Sequence, residues 1–73
     1  MIVVGERING QFPLVSKAID ARDAKFIQDL AAQQLNAGAN ILDVNTGPGR
    51  DDGPEAMAWL VRSIQDAHDV RLA

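Results

Sequence analysis

The sequence predicts an α/β fold built on parallel strands, in the order strand, short helix, long helix, strand, helix, strand. Three observations predict it. Short β-branched runs alternate with longer amphipathic stretches. The stretches between strands are long enough to cross over and bring the next strand back parallel, with the right-handed connection such units favour. The junctions carry helix-starting and turn-forming residues at the positions where those are needed.

Ile2-Val3-Val4-Gly5 is a β-branched run expected to form a buried first strand, followed at once by the polar Glu6, Arg7, Asn9 and Gly10. Between Phe12 and Ala21 a short helix is expected, with Pro13 in its first turn and Leu14, Val15, Ala18 and Ile19 as its apolar side. Asp23 is a good N-cap for a helix from Ala24 to about Ala37, whose apolar stripe reads Phe26, Ile27, Leu30, Ala31 and Leu35. Gly38 suits the left-handed residue that stops it. Ile41 to Asn45 is the second strand, and Thr46-Gly47-Pro48-Gly49 turns out of it. A third helix begins near Pro54, carries Glu55 in its first turn, buries Met57, Leu60, Val61 and Ile64, and ends near Ala67. Val70 to Ala73 starts a third strand.

The chain has 73 residues, no cysteine and one histidine, so neither disulfides nor a thiolate or histidine-cluster metal site supports it. A chain of this size buries only about 60% of its unfolded surface, which makes an independent fold marginal. Residues 1–73 are therefore expected to be an incomplete part of a larger domain, or to associate with a second copy through open strand edges. The net charge of -3 and the scattered basic residues leave no basic face for nucleic acid. The start lacks the form of a signal peptide and no membrane-length apolar run follows, so a cytoplasmic protein is expected.

Strand alternation puts Ile2, Val4 and Glu6 on one side of the first strand, and Ile41, Asp43 and Asn45 on one side of the second. With helices covering Val3, Leu42 and Val44, the acids Glu6 and Asp43 and the amide of Asn45 converge near the strands' C-terminal ends, where parallel α/β folds place ligand sites. The ordinary alternative is a pair of buried acids tied to backbone donors or to Arg7; two acids and an amide at matching heights favour a polar site. Gly47-Pro48-Gly49 followed by Gly53 is superficially like a dinucleotide loop, but its spacing is wrong and a turn is the stronger reading. Asn9-Gly10 reads equally as a turn or as a ligand contact. His68 is expected at the surface without a catalytic role, and Trp59, off the apolar stripe, against a neighbouring helix or subunit.

Gly5-Glu6-Arg7-Ile8-Asn9-Gly10 after the first strand, Asp43-Val44-Asn45-Thr46-Gly47-Pro48, and Ala56-Met57-Ala58-Trp59-Leu60-Val61 on the third helix resemble the pterin-binding methyltransferase family. The resemblance spans Ile2 to Leu72 and is nearest to the methyltetrahydrofolate:corrinoid (iron–sulfur) protein methyltransferases. It implies a (β/α)₈ barrel of about 250 residues, of which residues 1–73 supply the N-terminal β-α-β-α-β start. It implies an enzyme that moves the N5 methyl of methyltetrahydrofolate to Co(I) of a cobalamin carried by a partner corrinoid protein. Glu6, Asn9, Asp43 and Asn45 match positions that line the pterin site; the family's main pterin-anchoring aspartate is expected just past Ala73, and the 73 residues alone are expected to be inactive. Dihydropteroate synthase and the folate module of methionine synthase are more distant relatives of the same pattern. A non-catalytic, self-associating α/β module is the alternative from another class.

Overall fold

A computed structural model describes all 73 residues. Six elements follow in order: β1 (Val4–Asn9), α1 (Pro13–Ala21), α2 (Ala24–Asn36), β2 (Ile41–Asn45), α3 (Gly53–Ala67) and β3 (Arg71–Leu72). The three strands form one parallel sheet in the order β1-β2-β3, so the expected alternation and strand direction hold.

Local features mark several of the helix ends. Pro13 occupies the first turn of α1, where its missing N–H costs nothing. Asp23 caps α2 by accepting a hydrogen bond from the Phe26 N–H at 3.2 Å. Gly38, at φ +106°, takes the left-handed conformation just past the end of α2. At the start of α3, Asp52 has the N-cap position but makes no cap bond with its side chain. Its carboxylate is occupied by Arg22 and Arg50 instead.

The core lies between the helices and one face of the sheet. Ile8, Leu42 and Val44 from the strands meet Val15, Ala18 and Ile19 of α1, Ile27, Leu30 and Ala31 of α2, and Ala56, Leu60 and Ile64 of α3. Helices α2 and α3 are also joined through polar groups. Gln28 Nε2 donates to the Ser63 carbonyl at 2.9 Å, and His68 Nε2 lies 3.0 Å from the Gln28 carbonyl oxygen. His68 is thus half-buried and bridges two helices, rather than standing free at the surface. Trp59 is partly buried against the core, with the Arg22 guanidinium 5.5 Å from its ring centroid.

The structure corrects several sequence expectations. The apolar run at the start is not a buried strand: Ile2 is 72% exposed, Val3 40% and Val4 43%. The helices pack over Ile8, Leu42 and Val44 and leave that run uncovered. Val3 is nevertheless tied to the second strand's entry, donating to Asn40 Oδ1 and accepting from the Asn40 and Ile41 N–H groups. Leu14 is exposed while Val15, Ala18 and Ile19 are buried, so the stripe of α1 is one residue narrower. In α3 the buried face is Ala56, Leu60, Ser63 and Ile64; Met57 and Val61 sit at its margin. No helix is long and apolar enough to cross a membrane.

Candidate functional site

The face of the sheet away from the helices carries the polar residues, and a bulge decides which ones. Gly5 is paired with Leu42 and Ile8 with Val44, so Glu6 and Arg7 together stand opposite the single residue Asp43. Strict alternation from Glu6 would put Ile8 on the polar face and Asn9 in the core. The extra residue resets the parity. Ile8 enters the core at 0% exposure, and Asn9 arrives beside its register partner Asn45.

Glu6, Asn9, Asp43 and Asn45 therefore line one open cavity of ≈ 450 Å³, together with Arg7, Ile8 and Phe12. All four residues singled out from the sequence meet there. Arg7 and Phe12 were not singled out, because the bulge that turns Arg7 out leaves no mark in a period-two pattern. Phe12, which in sequence marks only the start of the short helix, stands 51% exposed at the rim.

The side chains of Glu6 and Asp43 make no hydrogen bond or ion pair with the protein, and Arg7 forms no salt bridge. The alternative of acids neutralised by Arg7 is thus not what the chain adopts. Both carboxylates are exposed, so their oxygens remain free as acceptors. The two asparagines are arranged differently. Asn9 Oδ1 accepts from the Gln11 N–H at 2.9 Å, and Asn45 Oδ1 accepts from the Gly47 N–H at 2.7 Å. Each side chain closes a tight turn two residues on, which ties up its oxygen and leaves its NH₂ group as the free donor. The face thus offers carboxylate acceptors and amide donors side by side.

The loops that bear these groups are locked to each other. The Gly10 N–H donates to the Asn45 carbonyl at 2.7 Å. A Cβ on Gly10 would collide with the Thr46 carbonyl oxygen, so glycine is what allows the two backbones to touch. Asn9-Gly10 is accordingly a turn, and Asn9 is also part of the cavity wall. Further along the second loop, Gly47 and Gly49 take φ of +86° and +76°, and the chain turns into α3 as a plain connection.

A charge cluster holds that connection in place. Arg50, its side chain only 13% exposed, pairs with Asp20 of α1 at 2.7 Å and with Asp52 at 3.0 Å. Arg22, left-handed at φ 54°, reaches Asp52 at 2.9 Å and the Ile19 carbonyl at 2.6 Å. Hydrogen bonds from Arg50 and then Arg22 lower the Asp52 carboxyl to about 2. Asp52 and Asp20 in turn raise the Arg50 pKa through their hydrogen bonds. No group of three or more His, Cys, Asp or Glu residues is placed to hold a metal ion.

No protein-family model matches the chain. Among curated proteins it is 39% identical over 72 residues to the methylcorrinoid:tetrahydrofolate methyltransferase of Eubacterium limosum. That alignment takes in 99% of this chain and 27% of the relative, so the chain spans about a quarter of the length of the protein it matches.

Proposed function

We propose that the chain, homologous over 99% of its length to part of a methylcorrinoid:tetrahydrofolate methyltransferase, forms part of the wall that holds the pterin of a folate in such an enzyme. The observation that carries this reading is the pairing of free acceptors and free donors in one cavity. A reduced pterin presents adjacent 2-amino and N3–H donors, flanked by the C4 carbonyl on one side and the N1 ring nitrogen on the other as acceptors. Glu6 and Asp43 suit the donor edge, and the NH₂ groups of Asn9 and Asn45 suit the acceptors. Phe12 at the rim offers an apolar surface to the flat ring.

In this reading the three sequential strands begin a (β/α)₈ barrel, and the exposed polar face lines its C-terminal mouth. The whole enzyme would exchange a methyl group between N5 of tetrahydrofolate and the cobalt of a corrinoid protein. The relative's name writes the transfer from the methylcorrinoid to tetrahydrofolate, opposite to the direction expected from the sequence. In that direction the N5 lone pair takes the methyl, the cobalt–carbon electron pair stays on cobalt to give Co(I), and N5 gives up its proton. The reverse needs a proton or strong hydrogen bond at N5, since an uncharged tertiary amine is a poor methyl donor. The corrinoid substrate would be carried by a partner protein in the cytoplasm, and a second copy of this chain is proposed to cover its exposed apolar residues.

Calorimetric titration of the chain with tetrahydrofolate tests the reading. Binding is expected at millimolar folate, weakened about tenfold (~1.4 kcal/mol) by Asp43→Asn or Asn45→Ala. A titration without heat, or one that both variants leave unchanged, rejects it.

A further inference from the structure

We propose that Gln34 is a positioning residue for this site: its side-chain oxygen, on the helix side of the sheet, holds the bulge that turns Asn9 onto the face of Asn45. The proposal rests on reading that face as a pterin wall. Gln34 occupies the next position of the Ile27, Leu30, Ala31 stripe on α2 and is 7% exposed. An apolar residue would be the ordinary occupant there. Its Oε1 instead accepts a hydrogen bond from the Arg7 N–H at 2.9 Å. Arg7 is one of the two residues set against Asp43, so its N–H belongs to the irregular step of the ladder and needs a partner from elsewhere.

Gly5 makes that approach possible. A Cβ on Gly5 would lie 2.5 Å from Gln34 Oε1 and 3.0 Å from its Cδ. Only an oxygen can meet an N–H, so the carboxamide has one useful orientation, and in it Nε2 is buried without a partner. A side chain present only to fill space would not leave a donor stranded. What the carboxamide adds over a leucine or methionine is the acceptor beneath the bulge. Without it, regular alternation would carry Ile8 to the cavity and Asn9 to the core, and the wall would lose one amide donor.

Amide hydrogen exchange and cross-strand nuclear Overhauser contacts in the full chain, read beside tetrahydrofolate titration, test this. Gln34→Met keeps the length and loses the acceptor. It is expected to speed exchange at Arg7 about tenfold, to abolish the Asn9–Asn45 backbone contacts, and to weaken tetrahydrofolate about tenfold. Gln34→Glu keeps an acceptor oxygen and is expected to preserve the contacts and the Arg7 protection. Unchanged exchange and contacts in Gln34→Met overturn the proposal, as does a Gln34→Glu variant that behaves like Gln34→Met. Should Gln34→Met fail to fold, Gly5→Ala carries the test, because its methyl displaces Oε1; normal Arg7 protection there overturns it too. If the unaltered chain binds no tetrahydrofolate, the pterin reading falls, and the exchange and contact measurements still decide the role of Gln34.

Discussion

Asp52 shows how a single side chain couples protonation to the architecture. Its carboxyl is lowered to about 2 by Arg50 and Arg22, below the value of about 3.9 for a free aspartate. A folded-state value below the unfolded one means the contribution is fully present above the unfolded pKa and is lost as pH falls through the folded one. The link between the second loop and α1 is therefore expected to stay intact at pH 5 and to loosen between about pH 4 and 2. Trp59 lies beneath Arg22, so its fluorescence reports the change. Asp52→Asn should remove most of that transition while leaving the neutral-pH spectrum of the helices in place. A transition of the same size in Asp52→Asn would show that other carboxylates carry it.

Among the elements, α3 and α1 make opposite predictions about leucines that look alike in sequence. Leu60 is 0% exposed at the centre of α3, and its truncation to alanine is expected to cost about 2–5 kcal/mol. Leu14, on the first turn of α1, is 67% exposed, and the same change there is expected to stay within about 0.5 kcal/mol. Urea midpoints measured on the two variants distinguish these outcomes. Element order, helix ends and the second strand were legible from the sequence because each depends on local signals: Pro13, Asp23, Gly38 and the alternation from Ile41 to Asn45. The first strand was less so. Its β-branched start reads as core, but burial depends on where the helices land, which a run of valines does not encode. The bulge at Glu6 and Arg7 was hidden because its cause, Gln34, lies 27 residues from Arg7 on another element. Asn9 was named from family resemblance alone; the geometry gives the physical reason why it shares a face with Glu6.

For the molecule as a whole, 15 of 73 residues are buried, a small core beside an uncovered sheet face and exposed apolar residues such as Ile2 and Phe12. Burying such residues against a second copy returns about 25 cal/mol per Å² of apolar surface. The chain is expected to self-associate with rising concentration, and sedimentation velocity should show Ile2→Lys shifting it toward monomer. A single sedimenting species at all concentrations would show that these residues stay solvated. The charge cluster ties the second loop to α1, and the Gln28 and His68 bonds add polar ties to the apolar contact between α2 and α3.

The tie between Gly10 and Asn45 has a consequence for the ageing of the chain. An asparagine followed by glycine is prone to deamidation, because the next backbone nitrogen can close on the side-chain carbonyl carbon and expel ammonia. Here that nitrogen is held by the Asn45 carbonyl at 2.7 Å, and the Asn9 side chain is turned toward the Gln11 N–H. Ring closure at Asn9 requires both bonds to break, so the chemical clock at this pair runs only while the loops are apart. Isoaspartate at position 9 would record how long a given molecule has spent open.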